Sequence, residues 1–208
     1  MGPVTLGLAL AGWCFLHSLF ATDRMKRRLY ARLQPRTYRL LYNVFSVVSL
    51  MPVGLLYVGQ DGGVVIRYGF FRWAVMLAFA ACVALFLWAF RLFDGPGFMG
   101  LREEKEGLFT TGAYRFCRHP MYTATLGLIW ARDLRGNDLV VNGVFSVYLI
   151  LGAYIEERRL LHKYGGAYRA YARKTPMFLP VPRFRRRAGG SGMCFLLLAC
   201  SPLLLFPC

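Results

Sequence analysis

Long runs of apolar residues, broken by short basic segments, decide what this chain can fold into. Val4 to Ala21 is nearly free of charge, and Leu40 to Val58 and Leu139 to Ile155 carry none. Phe70 to Phe93 holds only Arg72 and Arg91, near its ends, where long basic side chains reach the headgroups. Each run is close to the length that crosses a bilayer as a helix. The runs lack the alternation of barrel strands, and lipid offers the backbone no other partner, so they are helices. Met121 to Ala131 is apolar but about half the length of a straight span. It reads as a span with polar ends, or as half of a helical hairpin with Leu139 to Ile155. The expected fold is all-α: a polytopic membrane helical bundle of about five transmembrane helices, the last two as a hairpin, with a cytosolic C-terminal cap.

The chain is 57% hydrophobic with a formal net charge of +16. Its basic residues are asymmetrically placed. Asp23 to Arg39 carries seven Lys or Arg against one acid, and Glu156 to Arg187 ten against two, whereas Gly59 to Gly69 has one of each sign. By the positive-inside rule, five spans starting outside put both basic segments and Phe93 to Pro120 in the cytosol. The charge therefore reads as orientation and contact with anionic lipid, and against nucleic-acid binding. The first apolar block has no basic n-region and no clear cleavage site, so it does not read as a signal peptide. The six cysteines form no C-x-x-C pair, and Cys117 with His119 does not make a metal site. Residues 1–187 read as one membrane domain, and 188–208 as a flexible linker followed by an apolar tail with no assigned role.

Two polar places remain at the inner edge of the spans. The first is Gly112-Ala-Tyr-Arg-Phe-Cys-Arg-His-Pro-Met-Tyr122. Pro120 suits the first turn of a helix and disfavours helix at the residue before it, so His119 is expected extended, at the cap of the short fourth span. Free N–H groups there, with Arg118, can anchor a carboxylate or phosphate. The plainer reading has Arg118 reaching headgroups and His119 capping the helix. The second place is Glu156-Glu157, where the fifth span leaves the membrane. Either Glu156 pairs Arg159 on a solvated face, or the two carboxylates meet a cationic group. Tyr114, Tyr122, Tyr168 and Tyr171 offer aromatic faces to a ring or a sulfonium, or simply form an interfacial belt. Helix is expected from Tyr154 to Lys174 with a break near Gly165-Gly166. His17-Ser18 reads as helix–helix hydrogen bonding. Gly95-Pro-Gly97-Phe-Met-Gly100 matches G-x-G-x-x-G, but it follows a membrane helix and no acid lies at the required distance. It reads as a loop and not as a dinucleotide site.

GAYRFCRHPMY followed by EERRLLHKYGGAYRAYARKTPMFLP resembles the isoprenylcysteine carboxyl methyltransferase-like membrane enzymes. HSLFATDRMK, YRLLYNVFSVVSL and FDGPGFMGLR are similar to the branch that holds methanethiol S-methyltransferases, NnrU-like proteins and nurim. The resemblance extends over most of residues 15–182. It implies a pocket for S-adenosylmethionine on the cytosolic side, without a Rossmann domain, roofed by the segment after the last span. Tyr114, Arg118, His119, Pro120, Tyr122, Glu156, Glu157, Tyr168 and Tyr171 would line it. Arg118 and His119 would face the methionine carboxylate and a glutamate the amino group. His119, Glu157 and Arg118 would be the catalytic set, with the proton acceptor left open between His119, a glutamate and solvent. The implied partners are the bilayer and a small or lipid-linked methyl acceptor, most readily a thiol, with no metal. The implied location is a bacterial inner membrane, or the endoplasmic reticulum or nuclear envelope in a eukaryote. Carboxyl methylation of a prenylcysteine, N-methylation of a phospholipid, and a non-catalytic role like that of nurim remain the alternatives.

Overall fold

The computed structural model describes residues 2–59, 63–102 and 107–178. The linker and apolar tail, the basic run from Arg183 to Arg187, Pro180 and Pro182 lie outside these residues. Helices dominate. In chain order they are α1 (Pro3–Ala21), α2 (Asp23–Tyr30), α3 (Pro35–Val58), α4 (Arg72–Leu92), α5 (Gly95–Phe98), α6 (Pro120–Trp130) and α7 (Gly136–Lys174). Prolines open α1, α3 and α6, where a missing N–H costs nothing.

Four helical segments are long and apolar enough to cross a bilayer: Pro3–Ala21, Pro35–Val58, Gly69–Leu92 and Gly136–Lys174. Their outward faces are apolar. On α1, Leu6, Leu10 and Cys14 recur every four residues and are buried, whereas Val4 is 73% and Leu8 70% exposed on the other side. That distribution suits lipid as solvent. The short fourth apolar block forms α6, which has 11 residues. It is about 16 Å long, roughly half the hydrocarbon thickness. The short block is thus half of a hairpin with α7.

Small residues set the crossings. A β-carbon on Gly7 of α1 would lie 2.9 Å from Val140 Cγ1 of α7, and one on Gly127 of α6 would run into Cys82 Sγ of α4. Close backbone approach of this kind is how helices associate where lipid removes the hydrophobic drive. Polar side chains add cross-links. Trp13 Nε1 donates to Ser49 Oγ at 3.0 Å. His17 lies 3.0 Å from Ser46 Oγ and 2.9 Å from Tyr42 Oη, and Ser18 Oγ donates to Tyr148 Oη at 3.4 Å. The His17-Ser18 pair thus does what its sequence position implied.

The end of the bundle away from the basic segments is clamped by one carboxylate. β1 (Val64–Ile66) pairs antiparallel with β2 (Leu134–Arg135) in a two-strand ribbon that the sequence analysis does not anticipate. Asp138, buried in the first turn of α7, accepts from the Tyr57 hydroxyl, from Arg132 Nη2 at 3.0 Å and from the Arg135 N–H at 2.7 Å. Asn142 Nδ2 donates to Ile129 O at 2.6 Å and fixes the end of α6. At the basic end, α7 runs on past Ile155 to Lys174, with Gly165 out of helix at φ 50° and ψ −117°. A break falls where the glycine pair predicted one.

Asp138→Ala leaves three donors without their acceptor, a loss of about 2–3 kcal/mol. Thermal unfolding in detergent is expected to shift down by roughly 5–10 °C. Asp133→Ala, which removes one exposed contact to the Tyr68 N–H, is expected to shift it much less.

Candidate active site

α6 starts below the end of its neighbour. Gly127 meets Cys82, so the two helices are in register there. From that level α4 runs ten residues further to Leu92, about 15 Å, and α6 seven residues back to Pro120, about 10 Å. The shortfall is about one helical turn. The segment from the 3-10 turn Gly112–Arg115 to His119 fills part of it and leaves a recess.

His119 is the residue before α6, as expected, with φ −123° and ψ 63°, short of the extended conformation the sequence implied. Its side chain does not cap the helix. The ring turns to α7: Nε2 lies 3.2 Å from Glu157 Oε1, and Nδ1 3.8 Å from Glu156 Oε2. Arg118 does not extend to headgroups. Its Nε lies 2.8 Å from the same Glu157 Oε1, and its Nη1 donates to Ala172 O at 3.3 Å. One carboxylate oxygen therefore holds both basic side chains. Arg159 does not take up Glu156 but reaches Ala21 O and Asp23 from α7, at 3.5 and 4.0 Å.

The chain after α7 folds back onto this cluster. The Arg118 N–H donates to Pro176 O at 2.9 Å and the His119 N–H to Met177 O at 3.1 Å, so two backbone hydrogen bonds tie the segment after α7 to the one preceding α6. The His119 ring is stacked with Tyr122 at 5.5 Å and lies 6.0 Å from Phe178. Tyr171 Oη donates to Tyr114 O at 2.6 Å, and the Tyr168 ring lies 6.0 Å from that of Tyr171. All nine residues drawn from the sequence come to this one end of the bundle. Eight line a single cavity of about 1300 Å³, and Glu157 holds two of the lining side chains from behind.

Two polar atoms in the cluster keep unused capacity. Arg118 Nε and Tyr168 Oη are shielded from solvent and make no hydrogen bond of good geometry; the Arg118–Glu157 contact is an ion pair out of line. Burial is the first cause that pushes the phenols of Tyr114, Tyr168 and Tyr171 up from their ordinary range. The nearby Glu157 carboxylate adds to the shift at Tyr168, and Glu156 at Tyr114. These tyrosines are neutral donors and aromatic faces at physiological pH. Burial likewise raises the Cys117 thiol.

The sequence reading missed Phe178 and the carbonyls of Ala172, Pro176 and Met177. Phe178 stands in the KTPMFLP stretch, but a lone apolar residue there carries no signal until the chain turns back. It also missed a second set of cavity walls: Phe90 and Phe93 from α4, Phe98 and Met99 from α5, and Arg36 and Arg39 from α3. The G-x-G-x-x-G loop is a helical turn, with Asp94 Oδ1 accepting from the Gly97 N–H at 3.2 Å. Among the described residues, no three His, Cys, Asp or Glu side chains converge as a metal site would require.

Comparison with known proteins bears on this geometry. The family model described as NnrU protein matches residues 5–199, past residue 182, where the motif resemblance ends. A methanethiol S-methyltransferase of Crocosphaera subtropica is 30% identical over 187 residues, which cover 79% of this chain and 69% of that protein. One from Mycobacterium tuberculosis is 28% identical over 194 residues, 86% of this chain and 79% of its own length. One from Pseudomonas deceptionensis is 34% identical over 87 residues, and there the match spans 33% of the relative. No solved structure matches the chain. With the match running almost end to end over a helical bundle of this design, the chain belongs to the NnrU family.

Proposed function

We propose that this chain is an integral-membrane methyltransferase that uses S-adenosylmethionine and acts on a thiol. The observation that carries the reading is the convergence of Arg118, His119, Glu156 and four tyrosines on one cavity recessed at the end of the bundle, with Glu157 holding Arg118 and His119. The relatives named methanethiol S-methyltransferase support the reaction class.

The donor set fits the cofactor. Arg118 and His119 stand at a helix start, where a carboxylate is favoured by both charge and free N–H groups. Glu156, half exposed beside His119, suits an ammonium. Tyr114, Tyr122, Tyr168 and Tyr171 present aromatic faces to an adenine ring and a sulfonium. When bound, the cofactor supplies an activated methyl group on a positively charged sulfur.

The residues of this chain then position and desolvate. Glu157 fixes Arg118 and His119 by one shared oxygen, so neither has to be ordered when the ligand arrives. The raised tyrosine phenols stay protonated and are not bases. The bond formed joins the thiol sulfur to the methyl carbon. The bond broken leaves its electron pair on the donor sulfur, and the thiol proton passes to His119, a glutamate or solvent. We assign the pocket to the cytosolic side, because the basic segments lie at that end.

The non-catalytic alternative rests on the same ion pairs, which also suit a packing element. Binding decides between them. Titration of the detergent-purified protein with S-adenosylmethionine is expected to give saturable binding, and its absence would overturn the enzyme reading. His119→Ala and Glu157→Gln are each expected to weaken binding at least tenfold, about 1.4 kcal/mol. Normal affinity in both would remove the site assignment. Orientation is tested separately. In a background with the native cysteines replaced by serine, Arg67→Cys is expected to react with an impermeant maleimide on intact spheroplasts. Arg27→Cys is expected to react only after lysis, and the reverse pattern would put the pocket on the other side.

A further inference from the structure

The G-x-G-x-x-G turn has no part in the chemistry above, yet it forms a wall of the same cavity. It is firmly built. Arg39 Nη1 donates to Gly97 O at 3.2 Å and Asn43 Nδ2 to Phe98 O at 3.1 Å, which fasten α5 to α3. Gly100 has φ +80°, and a β-carbon there would lie 2.5 Å from Arg36 O, so the turn can sit this close only with glycine. Gly100 thus serves close approach to α3.

Beside the charged side chains of Arg36, Arg39, Asp94 and Arg102, this wall presents a run of aromatic rings. Phe90 and Phe93 lie 6.0 Å apart and Phe93 and Phe98 5.2 Å apart by ring centroids, a continuous run with Met99 beside it. These residues lie at the end of α4 and in the α5 turn that follows it, whereas Arg118 and Glu157 come from the start of α6 and from α7. Phe90, Phe98 and Met99 are each about half exposed, which leaves this side of the cavity open to the apolar surroundings of the bundle. The volume of about 1300 Å³ exceeds the roughly 300–1,000 Å³ of a pocket for one ligand. A cofactor held by the tyrosine and arginine side therefore leaves room for a second ligand of real size. Methanethiol, with two heavy atoms, would not fill it.

We propose that the Phe90–Phe93–Phe98–Met99 lobe is the acceptor subsite, and that it takes a thiol bearing an aryl or comparably bulky apolar group. The proposal rests on the methyltransferase reading and names the substrate class within it. Phe93, Phe98 and Met99 are then the residues that determine acceptor choice. Each methylene well packed in such a lobe is worth roughly tenfold or more in discrimination.

The test compares kcat/KM for phenylmethanethiol, a bulky thiol close to alkyl thiols in acidity, with kcat/KM for methanethiol. It uses the detergent-purified full chain, with S-adenosylmethionine affinity measured alongside. Phenylmethanethiol is expected to be favoured at least tenfold, and Phe98→Ala to cut that ratio about tenfold while cofactor affinity reports an intact pocket. Equal or better use of methanethiol, or a ratio unmoved by Phe98→Ala, overturns the subsite. Loss of cofactor binding in the wild type overturns the methyltransferase reading and the subsite with it. If the cofactor binds but neither thiol is methylated, equilibrium binding of benzyl methyl sulfide decides. Binding about tenfold weaker to Phe98→Ala supports the lobe, and equal affinity overturns it.

Discussion

A single carboxylate oxygen organises one end of this bundle. Glu157 Oε1 sits 2.8 Å from Arg118 Nε and 3.2 Å from His119 Nε2. All three side chains are largely withdrawn from solvent, where an unpaired charge is costly and a broken pair more so. That cost makes the meeting of α6 and α7 obligatory. α6 is too short to be held by lipid on both sides, and it depends on α7 at each end: on Asn142 near Trp130, and on Glu157 at its start. The pocket follows from this arrangement. A helix that begins a turn early needs something in the gap, and the chain supplies polar side chains and a returning segment.

The same logic explains why α7 is 39 residues long. The part up to Ile155 crosses the apolar slab, and the remainder builds the site. Gly165, at φ 50°, turns the helix so that Tyr168, Tyr171 and the Ala172 carbonyl face back over Arg118 and Tyr114. Without that bend the helix would leave the bundle in a straight line and the cavity would have no roof. Two backbone hydrogen bonds from 118–119 to 176–177 close it. These bonds use donors that the start of α6 would otherwise leave to water.

Much of this was legible in the residues, because the strongest signals were local. Absence of charge over eighteen or so residues marks a span whatever it packs against, so α1, α3, α4 and the first part of α7 were read correctly. Pro120 gave the start of α6, and the glycine pair gave the bend. Long-range contacts were not legible. The three-residue strand Val64–Ile66 exists because Leu134–Arg135 lies beside it, and nothing in either segment announces the partner. Phe90, Phe93 and Phe98 were lost among the many phenylalanines of a lipid-facing chain, since composition cannot tell a ring facing lipid from one lining a cavity. The glycine turn was read as a loop because its helical conformation depends on Asp94 and on α3. All nine candidate residues were nevertheless drawn from two short motifs, and eight of them line the cavity because both motifs sit at the same ends of adjacent helices.

The cluster can be weighed as structure or as chemistry by its leftover bonding capacity. A packing element should satisfy its buried polar atoms, because each one left over costs stability. Here Arg118 Nε and Tyr168 Oη are shielded and lack a well-aligned partner. A histidine recruited merely to cap α6 would turn its ring to the helix N–H groups, but His119 points across to α7. An arginine recruited for the headgroups would extend outward, but Arg118 is folded in under Ala172. Each residue forgoes the local role that its position offers most cheaply. The two converge on one carboxylate beside a cavity far larger than packing needs. Side chains that forgo their cheapest local role around open space fit the proposed binding site better than a packing element.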